Sequence, residues 1–358
     1  MLEFLEYNFE QDNAEACPIY LIKAEEFNLW LDRENSHVKN WIHANKFSAS
    51  SGDVCLVPDS LGNIEKVLVG LGSEEIRKRN RFVLGGVTEK IPDLKYKLVS
   101  EHPEFEVKEH YLGWLLSQYH FSKYRDQVKN NPKLVAPSMF DGTRIEKIAQ
   151  GEALTRDLIN TPTNNMGPLE LEKSIRSLAG LHGASFKAIC GEHLLEKNFP
   201  MIHTVGRASA ELPRLIELVW GEHGPTLTLV GKGVCFDTGG LNIKPGSSMS
   251  LMKKDMGGAA TVIGLAHMIM ALNLPLRLRV LVPAVENSIA SSAFRPQDIL
   301  TSRKGLTVEV NNTDAEGRLI LADALAYADE NSPDLLICMA TLTGAARVAV
   351  GPDVAPFY

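Results

Sequence analysis

Apolar and polar positions alternate along the chain in short runs that predict strands and helices in turn. In the first 130 residues, apolar runs at 19–22, 54–57 and 67–71 predict strands. Stretches with helical spacing at 82–90 and 111–124 predict helices. This pattern indicates a small α/β domain at the start of the chain.

The remainder of the chain repeats this alternation more regularly. A helix predicted at 145–159 stops at Asn160-Thr161-Pro162, because the residue before a proline leaves the helical region. The elements predicted next are a strand at 226–230, a helix at 257–272, strands at 276–282 and 306–310, a helix at 316–330 and a strand at 335–340. This order predicts a largely parallel or mixed sheet covered by helices.

Length and composition fit two domains. A chain of 358 residues exceeds what one hydrophobic core usually organises, and 44% apolar residues can fill two cores. We expect a small N-terminal α/β domain at 1–130 and a polar linker at 131–144. A larger three-layer α/β domain with a mixed sheet would occupy 145–358.

The charge balance argues against nucleic acid and membranes as partners. With 37 basic and 44 acidic residues the net charge is -7, which provides no basic surface for phosphates. The start of the chain, residues 1–6, has an acidic character and does not resemble an export signal. The apolar stretch 261–274 is too short to span a bilayer. We therefore expect a cytoplasmic protein. Five scattered cysteines with no CxxC pair are predicted to be reduced thiols in the core, namely Cys17, Cys55, Cys190, Cys235 and Cys338.

Four acidic residues lie just after predicted strands or at helix starts. Asp237 follows the strand at 226–230 in a glycine-rich segment, Asp255 precedes the helix at 257–272, and Asp314 and Glu316 follow the strand at 306–310. In α/β sheets, ligands bind where the loops after the strands converge. These four side chains could therefore point into one crevice.

Carboxylates gathered in a partly buried crevice repel one another unless cations lie among them. Carboxylate oxygens from several loops suit manganese, magnesium or zinc, and shared carboxylates permit a two-metal site. Two such ions, roughly 3.5–4 Å apart, polarise a carbonyl and lower the pKa of a bound water. This chemistry predicts a hydrolase, acting either on peptides or on phosphate esters.

Each of these residues also has an ordinary structural interpretation. Asp237 would suit a turn and Asp255 a helix N-cap, while Asp314 and Glu316 would complement a helix dipole. The neighbouring lysines, Lys232 and Lys244, would then be solvated. The glycines in this region resemble a phosphate-binding loop, but the full GxxxxGK[ST] pattern is missing.

The combination of motifs favours the functional interpretation. Segment 312–319, Asn-Thr-Asp-Ala-Glu-Gly-Arg-Leu, resembles the signature of the leucyl (cytosol) aminopeptidase family at every position. Segments 230–245 and 255–260 are similar to the pattern of that family, with the spacing kept, as are 156–162 and 340–345. The resemblance covers about residues 145–353 and includes the N-terminal domain only in its place and size.

The resemblance implies a metal-dependent aminopeptidase that releases N-terminal, preferably leucine-like, residues from unblocked peptides. A water bridging two metal ions would attack the first peptide carbonyl. The ions would be manganese or zinc, with magnesium as a third option, and Asp237 and Glu316 would bridge them. Lys232 ligates only as the neutral amine, which requires a strongly lowered pKa. The implied metal ligands are Lys232, Asp237, Asp255, Asp314 and Glu316.

The resemblance also assigns roles to neighbouring residues. Lys244 would polarise the scissile carbonyl, and Arg318 would hold a bicarbonate ion that acts as general base. The implied substrate-binding residues are Met252, Asn312, Ala315, Thr341, Leu342 and Gly344. A homohexamer is expected, and the catalytic domain of the family continues past residue 353, so we expect this chain to be incomplete at its C-terminal end. The alternative is a non-catalytic subunit or DNA-binding regulator that keeps the peptidase fold.

Overall fold

The computed structural model describes residues 7–11, 15–99, 102, 104–125, 131–352 and 354–357. The chain divides into two compact units at residues 153 and 154, within a helix that runs from Thr143 to Asn160. The domain limits at 130 and 145 stay a prediction, because a division by packing need not coincide with domain limits. The acidic start at 1–6 lies outside the described residues.

The first unit contains a five-stranded sheet in the order β2-β3-β1-β4-β5. Its strands are β1 (Cys17–Lys23), β2 (Val54–Pro58), β3 (Ile64–Gly72), β4 (Lys95–Val99) and β5 (Lys133–Leu134). Its helices are α1 (Phe27–Asp32), α2 (Ser36–Ala44), α3 (Glu74–Arg77), α4 (Glu104–Ser117) and the first part of α5 (Thr143–Asn160), with 3-10 turns at Ala24–Glu26 and Val83–Gly86. The sheet is parallel except for β2, which pairs antiparallel with β3. The three predicted strands are thus confirmed.

Two predicted helices of this unit differ from the structure. The helix predicted at 82–90 is wrong, because only the 3-10 turn Val83–Gly86 forms there. The pair Gly85-Gly86 disfavours an α-helix, and a Cβ on Gly85 would lie 3.2 Å from the carbonyl oxygen of Gly113 in α4. The helix predicted at 111–124 begins earlier and ends at Ser117. The Ser117 hydroxyl donates to the Trp114 carbonyl at the helix end.

The second unit contains a six-stranded mixed sheet and a separate two-stranded hairpin. Its strands are β6 (Ser185–Cys190), β7 (Arg214–Trp220), β8 (Thr226–Gly231), β9 (Gly233–Asp237), β10 (Arg277–Asn287), β11 (Ile299–Thr301), β12 (Thr307–Glu309) and β13 (Leu335–Met339). Its helices are α6 (Pro168–His182), α7 (His193–Glu196), α8 (Pro200–Gly206), α9 (Gly246–Met249), α10 (Gly257–Ala271), α11 (Glu316–Asp329) and α12 (Ala345–Val350), with 3-10 turns at Thr163–Asn165, Met252–Met256 and Thr313–Ala315.

The main sheet runs in the order β13-β8-β10-β7-β6, and β9 pairs with the second half of β10. Strands β13, β8 and β9 are parallel to their neighbours, whereas β7 is antiparallel to both β10 and β6. The predicted three-layer fold with a mixed sheet is confirmed. The segment predicted as a strand at 306–310 lies instead in the hairpin, because the short turn after β11 lets β12 fold back antiparallel.

Alternating side chains of the central strands fill two cores on opposite faces of the sheet. Leu229 and Val280 pack with α6 and α10, while their neighbours Val230 and Leu281 pack with α8 and α11. Successive side chains of a strand point to opposite faces, so a strand covered on both sides is apolar throughout. The cluster of polar residues described below lies just beyond the ends of these strands.

Two further sequence-based predictions concern cysteines and membranes. Cys17, Cys55 and Cys235 are buried, as expected for core thiols. Cys190 is half-buried and Cys338 is exposed near the sheet edge, so the core prediction is wrong for Cys338. Within the described ranges, no helix combines the length and apolar character needed to cross a membrane.

Candidate metal centre

Four segments of the second unit bring the predicted ligands together. Lys232 joins β8 to β9, and Asp237 is the last residue of β9. Asp255 lies in the 3-10 turn before α10, and Glu316 is the first residue of α11. All four side chains are buried, with exposures of 1–2%. The four segments therefore meet at one place, although the segment that carries Glu316 follows β12 of the hairpin rather than a strand of the main sheet.

Lys232 forms the centre of one half of the cluster. Its Nζ lies 2.8 Å from Asp255 Oδ2 and 3.0 Å from Glu316 Oε1. It also donates to the carbonyl oxygen of Thr341 at 3.2 Å. The hydroxyl of Thr341 donates to Asp255 Oδ1 at 2.8 Å. Asp255 is thus not a helix cap, and Lys232 is not a solvated lysine.

Lys244 forms the centre of the other half. Its Nζ lies 3.0 Å from Asp237 Oδ2 and 2.6 Å from Asp314 Oδ1. Asp237 Oδ1 accepts from the backbone N–H of Gly239 and from Asn287 Nδ2, both at 2.9 Å. Lys244 therefore bridges two of the predicted ligands, and Asp237 combines the expected turn contact with a place in the cluster.

Burial and mutual repulsion shift the titration of these acids. Burial raises the pKa of Glu316 to about 7, and the charges of Asp237 and Asp255 add to the increase, while Lys232 opposes it. Burial likewise raises the pKa of Asp255 and of Asp314. Ionised carboxylates at this position are thus costly without further positive charge.

The lysines shift in the direction expected for ammonium groups among carboxylates. Burial lowers the pKa of Lys232, but the charges of Glu316 and Asp255 outweigh it, so the pKa is raised. The pKa of Lys244 is raised in the same way by Asp314 and Asp237 against burial. The lowered pKa expected of a ligating Lys232 requires cations beside the amine, so it belongs to the metal-bound protein and stays a prediction.

The residues present fit a divalent-cation site. Asp237, Asp255 and Glu316 each place a carboxylate oxygen within 4.8 Å of the others. Glu316 Oε2 is buried and has no hydrogen-bond partner in the described part of the chain. Four carboxylates face two ammonium groups, which leaves excess negative charge when all are ionised. Cations would satisfy both the unpartnered oxygen and the excess charge.

The remaining predicted residues lie on the same segments, but with fewer contacts to the cluster. Met252 begins the 3-10 turn that contains Asp255 and is half-buried. Asn312 Oδ1 accepts from the backbone N–H of Asp314 at 2.9 Å, and Ala315 lies between two predicted ligands. Leu342 and Gly344 are exposed after β13. Arg318 is exposed on the first turn of α11.

Sequence reasoning missed two residues that organise the cluster. Thr313 is fully buried, and its hydroxyl donates to the Gly239 carbonyl at 2.6 Å and accepts from Asn242 N–H at 2.8 Å. Asn287 ends β10 and donates to Asp237. The available signals were a threonine inside the octapeptide and an asparagine that ends a long apolar strand, but neither residue type is a preferred metal ligand.

Gly317 completes the local geometry. A Cβ on this residue would lie 2.5 Å from Lys232 Cε and 2.7 Å from Lys232 Nζ. The absence of a side chain at the start of α11 therefore lets Lys232 reach Glu316. The fold and the site together define an α/β protein of two units with a buried lysine–carboxylate centre suited to divalent cations.

Comparison with known proteins identifies the family. The model of the cytosol aminopeptidase family, catalytic domain, matches residues 153–358, and that of the M17 aminopeptidase N-terminal domain matches residues 17–137. The chain belongs to the cytosol aminopeptidase family. A probable cytosol aminopeptidase of Syntrophotalea carbinolica is 43% identical over 263 residues, which are 69% of this chain and 53% of that relative. The chain spans about half the length of the first curated relatives that it matches.

Solved structures agree with this assignment. The crystal structure of a cytosol aminopeptidase from Coxiella burnetii is 41% identical, with a TM-score of 0.90, over 96% of this chain and 74% of that one. The bottromycin maturation enzyme BotP in complex with Mn is 30% identical, with a TM-score of 0.83, over 94% of this chain and 75% of that one. Both similarities extend over both units of the chain.

Proposed function

We propose that this chain is a metal-dependent aminopeptidase that releases N-terminal, preferably leucine-like, residues from unblocked peptides. The observation that carries the proposal is the buried cluster in which Lys232 and Lys244 each bridge two carboxylates. Its members are the residues to which the resemblance to leucyl aminopeptidases gives metal-binding and catalytic roles. The complete cluster favours catalysis over a non-catalytic or DNA-binding role.

Two divalent cations would be held by Lys232, Asp237, Asp255, Asp314 and Glu316, with Asp237 and Glu316 shared between them. Manganese is supported by the Mn complex of the relative BotP, and zinc and magnesium suit the same donors. When bound, the cations would lower the pKa of an attacking water and polarise the first peptide carbonyl. Lys232 Nζ would give up a proton to ligate, so metal uptake would release protons.

Lys244 would act on the substrate itself. Its raised pKa keeps the Nζ protonated at neutral pH, so it can donate to the oxyanion that develops on the scissile carbonyl. Its side chain is 14% exposed, which leaves it accessible from the cluster surface. Arg318, exposed on the first turn of α11, would hold a bicarbonate ion as general base. The predicted substrate pocket comprises Met252, Asn312, Ala315, Thr341, Leu342 and Gly344.

The test is hydrolysis of a leucine anilide by metal-loaded and chelator-treated protein. We expect activity only with the metal, and Lys244→Met should lower kcat by about 10²–10³, as loss of an oxyanion donor does. Lys304→Met is the matched control, because Lys304 pairs with Asp329 on the surface, away from the cluster. Equal activity with and without chelator, or no hydrolysis by a folded sample that binds manganese, would contradict the proposal.

We also propose a cytoplasmic location and a homohexamer. The first is supported by the similarity to cytosol aminopeptidases. The second rests on the resemblance to the family. Light scattering that gives a stable monomer at micromolar concentration would contradict the hexamer.

A further inference from the structure

We infer that Asn287 is a positioning residue of the metal centre, an inference that rests on the proposed function. Its Nδ2 donates to Asp237 Oδ1 at 2.9 Å and to the carbonyl oxygen of Thr313 at 3.1 Å. The residue is 1% exposed and lies opposite Asp237 in the pairing of β9 with β10. Both of its partners only accept hydrogen bonds, so the nitrogen of the amide must face them.

The amide determines which oxygen of Asp237 faces the cluster. Oδ1 accepts from Asn287 Nδ2 and from the Gly239 N–H, both at 2.9 Å. Oδ2 is left directed at Lys244 Nζ, 3.0 Å away. The terminal torsion of an aspartate is broad, so without these two donors the carboxylate could rotate. Asn287 thereby holds Oδ2 of Asp237, a predicted metal ligand, pointing into the cluster.

Asn287 also connects two loops of the cluster, the one that carries Asp314 and Glu316 and the one that carries Lys244. Through the Thr313 carbonyl it holds the segment that leads to Asp314 and Glu316. Its own carbonyl oxygen accepts from the N–H and the hydroxyl of Thr238, at 3.1 and 2.7 Å, where the loop to Lys244 begins. One side chain and one carbonyl thus set the spacing between three segments that are distant in sequence.

The acceptor end of the amide indicates that asparagine is present for its donors. Asn287 Oδ1 is buried and finds no hydrogen-bond donor in the described part of the chain. It packs against Gly240, where a Cβ would lie 3.1 Å from it. What the amide contributes at this position is therefore its two donated hydrogen bonds, to Asp237 and to the Thr313 carbonyl. An aspartate would place a second carboxylate against Asp237, so only the amide supplies the two hydrogen bonds without added charge.

The experiment measures metal binding rather than hydrolysis alone. Manganese affinity is determined by titration calorimetry on chelator-stripped protein, for wild type, Asn287→Leu and the milder Asn287→Ser. We expect the leucine variant to bind manganese about 10- to 100-fold more weakly, as losses of the groups that orient metal ligands do. We expect a smaller loss for serine, which retains one donor. The visible spectrum of the cobalt-substituted variants should also change, because it reports the coordination geometry.

The control is Asp323→Asn. Asp323 is fully buried in α11 and accepts from the N–H groups of Met201 and Arg303, both at 2.8 Å, so its replacement destabilises the same unit without touching the cluster. It should leave manganese affinity and the cobalt spectrum unchanged. If Asn287→Leu does not fold, the manganese affinity and cobalt spectrum of Asn287→Ser decide whether Asn287 positions the metal centre. Folded Asn287 variants with the manganese affinity and cobalt spectrum of the wild type would overturn the role of Asn287 but leave the proposed function standing. A wild-type protein that binds no divalent metal would overturn both.

Discussion

Replacement of Gly317 by alanine tests the packing that holds Lys232 among the carboxylates. The new Cβ would lie 2.5 Å from Lys232 Cε, whereas carbon atoms in contact prefer about 3.5–4.0 Å, so the lysine must move by roughly 1 Å. Lys232 has little freedom to move, because its side chain is 3% exposed and its Nζ is held at 2.8 and 3.0 Å by Asp255 and Glu316. The substitution should therefore disrupt the buried ion pairs.

Two opposing effects set the size of the change. Alanine favours a helix over glycine by about 0.8–1 kcal/mol, which stabilises α11. Separation of a buried charge from its partner costs about 3–5 kcal/mol. The second effect is larger, so Gly317→Ala should lower the free energy of unfolding by about 2–4 kcal/mol in chelator.

Urea unfolding of the metal-free protein measures this change. The matched control is Gly180→Ala in α6, where a Cβ would meet nothing within 4 Å, so only the helix propensity acts and the protein should gain about 0.8–1 kcal/mol. Opposite signs for the two variants support the packing argument. An equal gain for both would refute it, because Lys232 would then have moved without cost.

Two further predictions concern the protein without metal. The pKa of Glu316 is raised from 4.5 to about 7, so the folded state binds the proton more tightly than the unfolded state. The free energy of unfolding therefore falls as pH rises from 4.5 to about 7, by about 3 kcal/mol at about 1.4 kcal/mol per pH unit. Glu316→Gln should remove this part of the pH dependence in urea unfolding at pH 5 and 8, and an unchanged dependence would contradict the assignment. The second prediction compares Gly240→Ala with Gly183→Ala, which both place alanine at a φ near +60° and so share a backbone cost of about 1–2 kcal/mol. Only at Gly240 would the new Cβ also meet a side chain, the Thr313 hydroxyl 2.9 Å away. Gly240→Ala should therefore be the more destabilising in the same assay, and equal losses would show that Thr313 yields freely.

The predictions that succeeded rest on local signals in the sequence. The central strands appear as short apolar runs because they are covered on both faces, and α11 begins where the octapeptide places acidic residues. Asp237 ends a strand of the main sheet, and parallel strands end at the same edge of a sheet, so its place in the site follows from the sequence pattern. Asp314 and Glu316 follow β12 of the separate hairpin, so only the tertiary structure brings them to that edge. The predicted helix at 82–90 failed because two consecutive glycines disfavour an α-helix, and Gly85 packs closely against α4.

The amino-acid sequence by itself determined the three-layer fold of the second unit and the identity of the clustered acids and lysines, since apolar periodicity and a specific octapeptide are local properties of the chain. Only the tertiary structure decided how those groups are paired. Lys232 faces Asp255 and Glu316, and Lys244 faces Asp237 and Asp314, across sequence separations that no local pattern encodes. The role of Asn287 likewise emerges only when β9 and β10 pair, because a hydrogen bond between distant segments depends on strand register.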